Sequence, residues 1–290
     1  MANRTLGYDT NYRNNFCNIM DELKAAEYKE HIRKQWNNTP CGKVGDLTYD
    51  LNYFTNVENN RYDSYASWMK PFYRYDDPKH NGTSILEVGF GQGTDLVQFA
   101  KSGAKCTGID YTPKHFELAK LNFELRGLNA DLHLGDASQL PFADNSFDKV
   151  YSFGVLHHTP DIEKCIDEVH RVLKPGGVFV MSLYHKNSLF HYYTKVFLEG
   201  ILMFKFFTLG YMGVMATLEE GADGKKIKPL VNVYNKSSLK PMLSKFKSTE
   251  YQIRHLQKRD IPIIGSLLSQ KYLDKLQHKY GWYIISNSIK

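Results

Sequence analysis

The sequence predicts an α/β protein in which helices flank a doubly wound, mostly parallel sheet of seven strands. From residue 84 onward, short apolar runs alternate with amphipathic stretches, and turns rich in glycine and proline separate them. This rhythm is typical of strand–helix–strand units, because a parallel strand is reached through a crossover helix. The glycine-rich turn 89–93 follows the first apolar run, and Asp110 ends the second. Together these observations indicate a Rossmann-like sheet.

The strands and helices are expected in a regular order along the chain. Strands are expected at Ile85–Val88, Cys106–Ile109, Leu132–Leu134, Lys149–Ser152 and Val178–Leu183, and near Tyr251–Leu256 and Trp282–Ile289. Helices are expected after Gly93, up to Arg126 and at Ile162–Leu173. Pro113 suits the first turn of the second helix, where a backbone N–H is not needed. The turn Lys174–Gly177 is predicted to end the third helix and lead into the fifth strand.

Two segments lie outside this rhythm. Residues 1–80 are rich in asparagine, tyrosine and charged residues, and they predict a helical N-terminal lid with helices at Asp21–Trp36 and near Val57–Tyr73. Residues 81–290 then form the main domain. Within it, residues 188–230 are predicted to insert as a helical cap after the fifth strand.

The cap is long and apolar enough to raise the question of a membrane span. Glu199 and Lys205 interrupt its apolar residues, and Gly200 and Gly210 divide it. These features favour helices that pack over the mouth of a substrate pocket. A transmembrane span is therefore not expected, and contact with a membrane surface stays open.

Composition and charge fit a globular protein of 290 residues with a net charge of +6. Residues 1–6 lack the apolar core of a signal peptide, and the four cysteines form no C-x-x-C pair. This pattern favours free thiols, a cytoplasmic location and no metal site. The lysines of the C-terminal third are spread out, which favours an ordinary solvated surface. Nucleic acid is not expected as a partner.

Unusual residues gather at the carboxyl ends of the first four strands, where a doubly wound sheet binds its ligands. A glycine turn lets the backbone approach a ligand, and a carboxylate such as Asp110 accepts hydrogen bonds from both hydroxyls of a ribose. A nucleoside ligand is therefore predicted. The dinucleotide fingerprint needs glycine or alanine at position 94 or 96, but the chain has Thr94 and Leu96 there.

The run Glu87-Val88-Gly89-Phe90-Gly91-Gln92-Gly93 follows the pattern E-x-G-x-G-x-G. It resembles motif I of class I S-adenosylmethionine (SAM)-dependent methyltransferases. The segments Gly135–Asp148, Val155–Asp161 and Glu168–Gly177 extend the resemblance over about residues 84–185. Together they look like the small-molecule branch that includes the ubiquinone/menaquinone C-methyltransferases. The resemblance implies SAM as the cofactor and a small molecule as the methyl acceptor.

The resemblance also implies roles for the residues of motif I. Gly89, Gly91 and Gly93, with Phe90 between the first two, would lie against the methionine part of SAM. The absence of a Cβ atom permits a close approach and a positive φ. Glu87 matches the acidic residue of the motif, which usually orders the loop.

Residues at the next three strand ends would bind the adenosine part and its surroundings. By the resemblance, Asp110 would accept both ribose hydroxyls and Tyr111 would flank the adenine. Asp136 would accept from the adenine amino group, and the Ala137 N–H would face a ring nitrogen. Phe153 would lie beside the methionine chain. The alternative for either aspartate is a helix N-cap.

Catalytic candidates are sparse, because methyl transfer mainly requires that the acceptor be aligned and water be excluded. A general base is needed only when the acceptor arrives protonated with a high pKa. His157 and His158 follow the fourth strand, and Tyr184 and His185 follow the fifth. These four are the candidates, and a structural role for the histidine pair is the alternative.

Arg61 is a candidate ligand of the cofactor carboxylate, because it lies among aromatic residues of the predicted lid. Such a lid can enclose a sulfonium by cation–π attraction. The alternative is an arginine on the surface of a helix that packs against the sheet.

Three other functions stay open. The same fold can use SAM for intramolecular cyclisation or aminocarboxypropyl transfer, or bind it without catalysis. A nucleotide-dependent dehydrogenase is disfavoured by Thr94 and Leu96. A nucleic-acid methyltransferase is disfavoured because Ser152–Val155 replaces an N-P-P-Y type signature. The acceptor atom and the oligomeric state do not follow from the sequence.

Overall fold

The computed structural model describes residues 26–42, 45, 47–219, 221–226, 228–262 and 264–290. One seven-stranded sheet forms its centre. The strands are β1 (Ser84–Val88), β2 (Lys105–Asp110), β3 (Asp131–Leu134), β4 (Phe147–Phe153), β5 (Leu173–Tyr184), β6 (Ser248–Arg254) and β7 (Tyr283–Ile289). Each predicted strand overlaps one of these, so the predicted fold class is confirmed.

The strand order is β3-β2-β1-β4-β5-β7-β6. β7 runs antiparallel to β5 and β6, and the remaining neighbours pair in parallel. The chain moves outward from β1 through β2 to β3 and then returns to the other side of β1 as β4. This reversal opens a crevice beyond the carboxyl ends of β1 and β4, where such sheets bind ligands.

Helices cover both faces of the sheet. They are α1 (residues 26–38), α2 (Leu51–Asn59), α3 (Met69–Tyr73), α4 (Thr94–Lys101), α5 (Pro113–Leu125), α6 (Ile162–Val172), α7 (Lys205–Ala216), α8 (Lys236–Met242) and α9 (Gln270–Tyr280). Neighbouring β1 residues enter different cores, because successive strand side chains point to opposite faces. Ile85 packs with Leu96 of α4, and Leu86 packs with Val169 of α6 and Leu239 of α8.

The prediction that Lys174–Gly177 form a turn before the fifth strand is wrong, because these residues lie within β5. Helix α6 ends one residue earlier than predicted, and buried Leu173 already pairs with Phe147. A register shift between Phe147 and Lys149 lets the strands pair on both sides of the glycines.

The predicted continuous helix at Val57–Tyr73 is also wrong. A wide π-helical turn, Asn60–Tyr65, follows α2, and the chain leaves helical geometry at Ala66 before α3 begins. The wide turn lets Arg61 reach the carboxylate of Asp95 in α4. Wide helical turns are common at functional sites, and here the turn supplies a cavity wall.

The remaining N-terminal predictions have different outcomes. Residues 26–38 form α1, in agreement with the predicted first helix, whose residues 21–25 lie outside the described residues. The boundary at residue 80 stays a prediction, and so does the role of a lid.

The cap lies between β5 and β6. It holds the π-helical segment Phe190–Leu202 followed by α7, and the ring of Phe206 packs closely on Gly200 between them. Within the described residues, no helix combines the length and apolarity that a bilayer crossing requires.

Candidate cofactor and acceptor site

A cavity of about 430 Å³ lies beyond the carboxyl ends of the strands. Its size is typical of a small-molecule site. One wall comes from the ends of β1 to β5, and the other comes from α1, the segment after it, and the wide turn after α2. The predicted residues that line it are Glu87, Gly89, Phe90, Gly91, Asp110, Tyr111, Asp136, Ala137, Phe153, Arg61, His158 and Tyr184. Gly93, His157 and His185 lie outside its lining.

The glycine turn has left-handed backbone at Gly89 (φ 76°) and Gly91 (φ 56°). A Cβ at Gly89 would collide with the side chain of Val155, so close packing against the segment after β4 requires glycine. A Cβ at Gly91 would meet no atom of the described residues within 4 Å. Because Gly91 lines the cavity, that open space is available to a ligand.

Asp110 organises the turn that follows β2. Its Oδ2 accepts a hydrogen bond from the Gly91 N–H at 2.9 Å, and its Oδ1 accepts from the Thr112 N–H at 2.9 Å. His115 Nδ1 lies 3.3 Å from Oδ1, and its Nε2 lies 3.3 Å from the Cys41 nitrogen. Since a backbone N–H only donates, Nε2 is the acceptor and the His115 proton lies on Nδ1. Asp110 thus links β1, β2 and the segment after α1.

Asp136 forms an ion pair with α1. Its Oδ2 lies 2.8 Å from Lys29 Nζ, which also lies 2.8 Å from Asp161 Oδ2. Burial opposes ionisation of Asp136, but hydrogen bonds from Lys29 and Ser138 hold its pKa below the usual value. The same two carboxylates outweigh burial and raise the pKa of Lys29. Lys29 therefore attaches the N-terminal wall to the ends of β3 and β4.

Glu87 carries a buried carboxyl oxygen, Oε2, that has no hydrogen-bond partner among the described residues. Burial and the nearby Asp95 carboxylate raise its pKa well above the ordinary value. The residue also lines the cavity. Because an unsatisfied buried polar atom is costly, this oxygen is positioned for a ligand that donates a hydrogen bond or carries positive charge.

Arg61 pairs with Asp95 on the wall opposite the glycine turn. Its Nε lies 2.7 Å from Asp95 Oδ1, and its guanidinium lies 4.7 Å from the centre of the Phe153 ring. Asp95 also accepts hydrogen bonds from the Tyr62 and Tyr151 hydroxyls. The carboxylate is 3% exposed, so this is a buried network whose polar groups satisfy one another.

A second group of polar residues lies beyond β4 and β5. Glu219 Oε1 accepts from the Tyr184 hydroxyl at 3.1 Å and lies 3.7 Å from His158 Nε2. The Tyr184 ring stacks on His157, with 3.7 Å between ring centres. Burial lowers the pKa of His157 well below its usual value, and neither of its ring nitrogens has a hydrogen-bond partner in the part of the chain that the structure describes.

His157, His158 and Glu219 form the one cluster in the described part of the chain whose atoms approach metal-binding distances. One ligand atom from each lies within 4.8 Å of the others. Zinc–nitrogen bonds of about 2.0–2.1 Å in a tetrahedron place ligand atoms about 3.3 Å apart. The cluster is wider than that, so zinc would require the side chains to move inward.

Sequence reasoning missed Lys29, His115 and Glu219. Lys29 reaches Asp136 across 107 positions, a contact that no local pattern reveals. His115 lies only five positions after Asp110, but no motif marks it. Glu219 follows α7 in the cap, where no motif marks it. His185 was a candidate, but its Nδ1 is occupied at 3.0 Å from the Gly281 carbonyl oxygen.

Comparison with known proteins finds a family match for the middle of the chain. Residues 86–181 match the family model described as a methyltransferase domain. This segment contains the glycine turn, Asp110, Asp136 and Phe153, which all contribute to the site. The chain therefore carries a methyltransferase domain and is a homologue of SAM-dependent methyltransferases.

Individual relatives act on different acceptors, by their names. The chain is 39% identical over 101 residues to a sterol 24-C-methyltransferase of Pneumocystis carinii, across 34% of this chain and 27% of that protein. It is 28% identical over 172 residues to a ubiquinone biosynthesis O-methyltransferase of Cereibacter sphaeroides, across 58% of this chain and 66% of that protein. The chain thus spans only part of the length of these relatives.

A solved structure agrees with the fold over most of the chain. A phosphoethanolamine N-methyltransferase of Haemonchus contortus, in complex with phosphomonomethylethanolamine and S-adenosylhomocysteine, aligns with a TM-score of 0.55 and 18% identity. The alignment covers 89% of this chain and 59% of that protein. At this identity the similarity supports the fold alone.

Proposed function

We propose that the protein transfers a methyl group from SAM to a small-molecule acceptor. The observation that carries the proposal is the convergence of Asp110, Asp136 and the open glycine turn on one cavity at the point where the strand order reverses. This arrangement matches the general requirements of a nucleoside site in a doubly wound sheet.

The cavity fits the polarity of SAM. The open space at Gly91 admits a close backbone contact, and the unpartnered Glu87 oxygen suits a cationic or hydrogen-bonding group of the methionine part. Asp110 and Asp136 each retain acceptor capacity for the adenosine part. When bound, SAM supplies a methyl group activated by a positively charged sulfur.

We propose that Arg61 contributes to the methionine end. Its Nε and Nη2 atoms bind Asp95, whereas Nη1 makes no hydrogen bond within the described residues. Nη1 is therefore available to a carboxylate. In the same proposal, α1 and the wide turn after α2 act as the lid that excludes water, because both line the cavity.

Calorimetry with SAM and S-adenosylhomocysteine tests the cofactor, and product analysis tests the reaction. Methyl transfer leaves S-adenosylhomocysteine, whereas attack on the aminocarboxypropyl chain leaves methylthioadenosine. Absence of binding to both nucleosides would defeat the proposal. Binding without turnover of any acceptor would favour a non-catalytic SAM-binding protein.

We also propose that the cap surface contacts anionic lipid. Its exposed large apolar residues are Tyr192, Phe197, Ile201, Leu202, Met203, Phe204, Phe207 and Tyr211. Phe207 is 86% exposed. The exposed Lys225 and Lys226 follow Gly224, which packs against Gly213 of α7. Exposed apolar residues beside cations are typical of a membrane-surface site.

Vesicle sedimentation tests this contact. The wild type should bind anionic vesicles more strongly than neutral ones, and Phe207→Ser should weaken binding. Leu267→Ser is the matched control, because Leu267 is 82% exposed outside the cap. Equal loss in both variants, or no binding at all, would contradict the contact.

The cytoplasmic location stays a proposal. Its support is that Cys41, Cys106 and Cys165 are free thiols. Burial raises the pKa of the Cys106 and Cys165 thiols to about 12, so both remain unreactive.

A further inference from the structure

Glu219 is a carboxylate in the cavity that sequence motifs do not account for. It is 7% exposed and lines the cavity beyond β4 and β5, across the reversal point from β2 and β3. Its ion-pair partner within the described residues is His158, and no described lysine or arginine pairs with it. A buried carboxylate without a permanent cation is costly. The residue therefore requires a partner from the ligand or a shared proton.

The hydrogen bonds of His158 define what this pair can do. Its Nδ1 lies 2.8 Å from the Leu230 carbonyl oxygen, which only accepts, so Nδ1 carries a proton. In the neutral ring, Nε2 then presents a lone pair toward Glu219 Oε1 at 3.7 Å. Two acceptors facing each other repel unless a proton or a cation lies between them. One proton can therefore be held between His158 Nε2 and Glu219 Oε1.

Aromatic rings line the cavity that contains this carboxylate. The Tyr184 hydroxyl that binds Glu219 belongs to a ring stacked on Trp282, with 4.4 Å between ring centres. Trp36, Tyr65, Phe153 and Tyr283 also line the cavity. Aromatic faces with a carboxylate among them attract organic cations.

The charges of the cavity also favour a cationic ligand. Among the described residues, the lining holds the carboxylates of Asp95, Asp110, Asp136 and Glu219, and its lysine and arginine residues are Lys29 and Arg61. Glu87 also lines the cavity, but its raised pKa favours the neutral form. Lys29 and Arg61 are already paired with Asp136 and Asp95. The surplus of acidic groups favours ligands with positive charge.

We infer, on the basis of the proposed methyl transfer, that the acceptor is an amine that enters as an ammonium ion and is held by Glu219. The N–H bond breaks and its proton moves to the Glu219 carboxylate, directly or through His158. The freed nitrogen lone pair then forms the N–C bond to the methyl group as the C–S bond breaks. The electron pair of that bond stays on sulfur, and the product is an N-methylammonium ion. Tyr184 positions Glu219 for this step.

A matched pair of probes tests the inference by calorimetry on the protein saturated with S-adenosylhomocysteine. The probes are 2-phenylethylamine, which is cationic at neutral pH, and 2-phenylethanol, which is neutral and of similar shape. The wild type should bind the amine about tenfold more tightly than the alcohol. Glu219→Gln, which keeps the shape and removes the charge, should abolish this preference. The control variant is Glu250→Gln on the exposed surface of β6, which should retain it.

Turnover with SAM provides the second readout. The wild type should methylate 2-phenylethylamine, and the loss in Glu219→Gln should be largest near neutral pH and smaller at alkaline pH, where the amine arrives deprotonated. A structural role for Glu219 would lower turnover equally at every pH.

Several outcomes would overturn the inference. They are equal or tighter binding of the alcohol, no binding of the amine in the millimolar range, an amine preference that survives Glu219→Gln, and a stoichiometric divalent metal in the purified protein. Failure of the proposed function is distinguishable, because the wild type and both variants would then fail to bind SAM, or would form no S-adenosylhomocysteine from SAM with any acceptor. If SAM is bound and S-adenosylhomocysteine is formed with another acceptor, any of the outcomes above overturns only the assignment of the acceptor as an amine.

Discussion

The two halves of the cavity differ in how much of their chemistry is local. After β2 and β3, Asp110 and Asp136 lie next to their strands in sequence, and each accepts a hydrogen bond from a backbone N–H two positions later. Beyond β4 and β5, Glu219 comes from the cap and meets Tyr184, which lies 35 positions away. The part of the site that is common to the fold can therefore be recognised from short sequence motifs. The part that we propose to bind the acceptor is assembled by long-range packing.

The largest expected effect comes from a substitution next to the cofactor half, which is the part of the cavity at the ends of β1, β2 and β3. Asp95→Ala removes the buried partner of Arg61 and leaves the guanidinium unpaired, which costs about 3–5 kcal/mol of unfolding free energy. Urea unfolding measures this loss. The matched control is Asp131→Ala, because that side chain is 71% exposed. A loss below about 1 kcal/mol would mean that the network of Arg61, Tyr62 and Tyr151 is not a structural unit.

The second prediction concerns ligand affinity in the same half. Asp110→Ala removes the carboxylate that accepts a hydrogen bond from the Gly91 N–H. In the proposed function, the same carboxylate also binds the ribose of the cofactor. The dissociation constant for S-adenosylhomocysteine should rise about 30- to 100-fold, which corresponds to about 2–3 kcal/mol. Calorimetry at a temperature where the variant is fully folded measures it. An unchanged constant would place the ribose elsewhere and would remove the main support for the cofactor site.

These two residues also show how much the sequence predicts. The strand–turn–helix pattern fixes the glycine turn and Asp110, because local backbone geometry and a parallel sheet leave few alternatives. Asp95 was not singled out, since its partners come from a turn 34 positions earlier and from β4. The broken helix after α2 was missed for the same reason. Helical periodicity continues through Arg61, and the sequence does not reveal that this residue pairs with a buried carboxylate.

The third prediction concerns His255, a buried histidine next to the cavity residue Tyr65. His255 packs on Tyr65 and accepts a hydrogen bond from the Trp68 indole at 3.2 Å. Burial lowers the pKa of His255 to about 4. In the unfolded chain the pKa of the histidine is about 6.5. As the pH decreases below that value, the unfolded state binds more protons than the folded state, and the free energy of unfolding decreases. Between pH 7 and pH 5, His255 should account for a loss of about 2 kcal/mol.

His255→Asn isolates this contribution. Residue 255 has φ 69°, and asparagine tolerates left-handed backbone while retaining an acceptor for Trp68. The variant should lose less stability than the wild type between pH 7 and pH 5, as measured by urea unfolding at both values. Parallel pH curves for the two proteins would assign the acid sensitivity to other buried histidines, for example His157.

The smallest expected effect concerns the contact that joins the N-terminal wall to the cofactor half. Lys29→Met breaks the ion pairs to Asp136 and Asp161, whose side chains are 32% and 20% exposed, so water screens much of the loss. We expect about a threefold loss of affinity for S-adenosylhomocysteine and faster amide exchange in α1. Lys34→Met is the control, because Lys34 is 67% exposed and its ion-pair partner among the described residues is Glu30 of the same helix. If both variants behave alike, α1 is held by Trp36 and the Cys41–His115 contact, and the wall belongs to the packed core of the site.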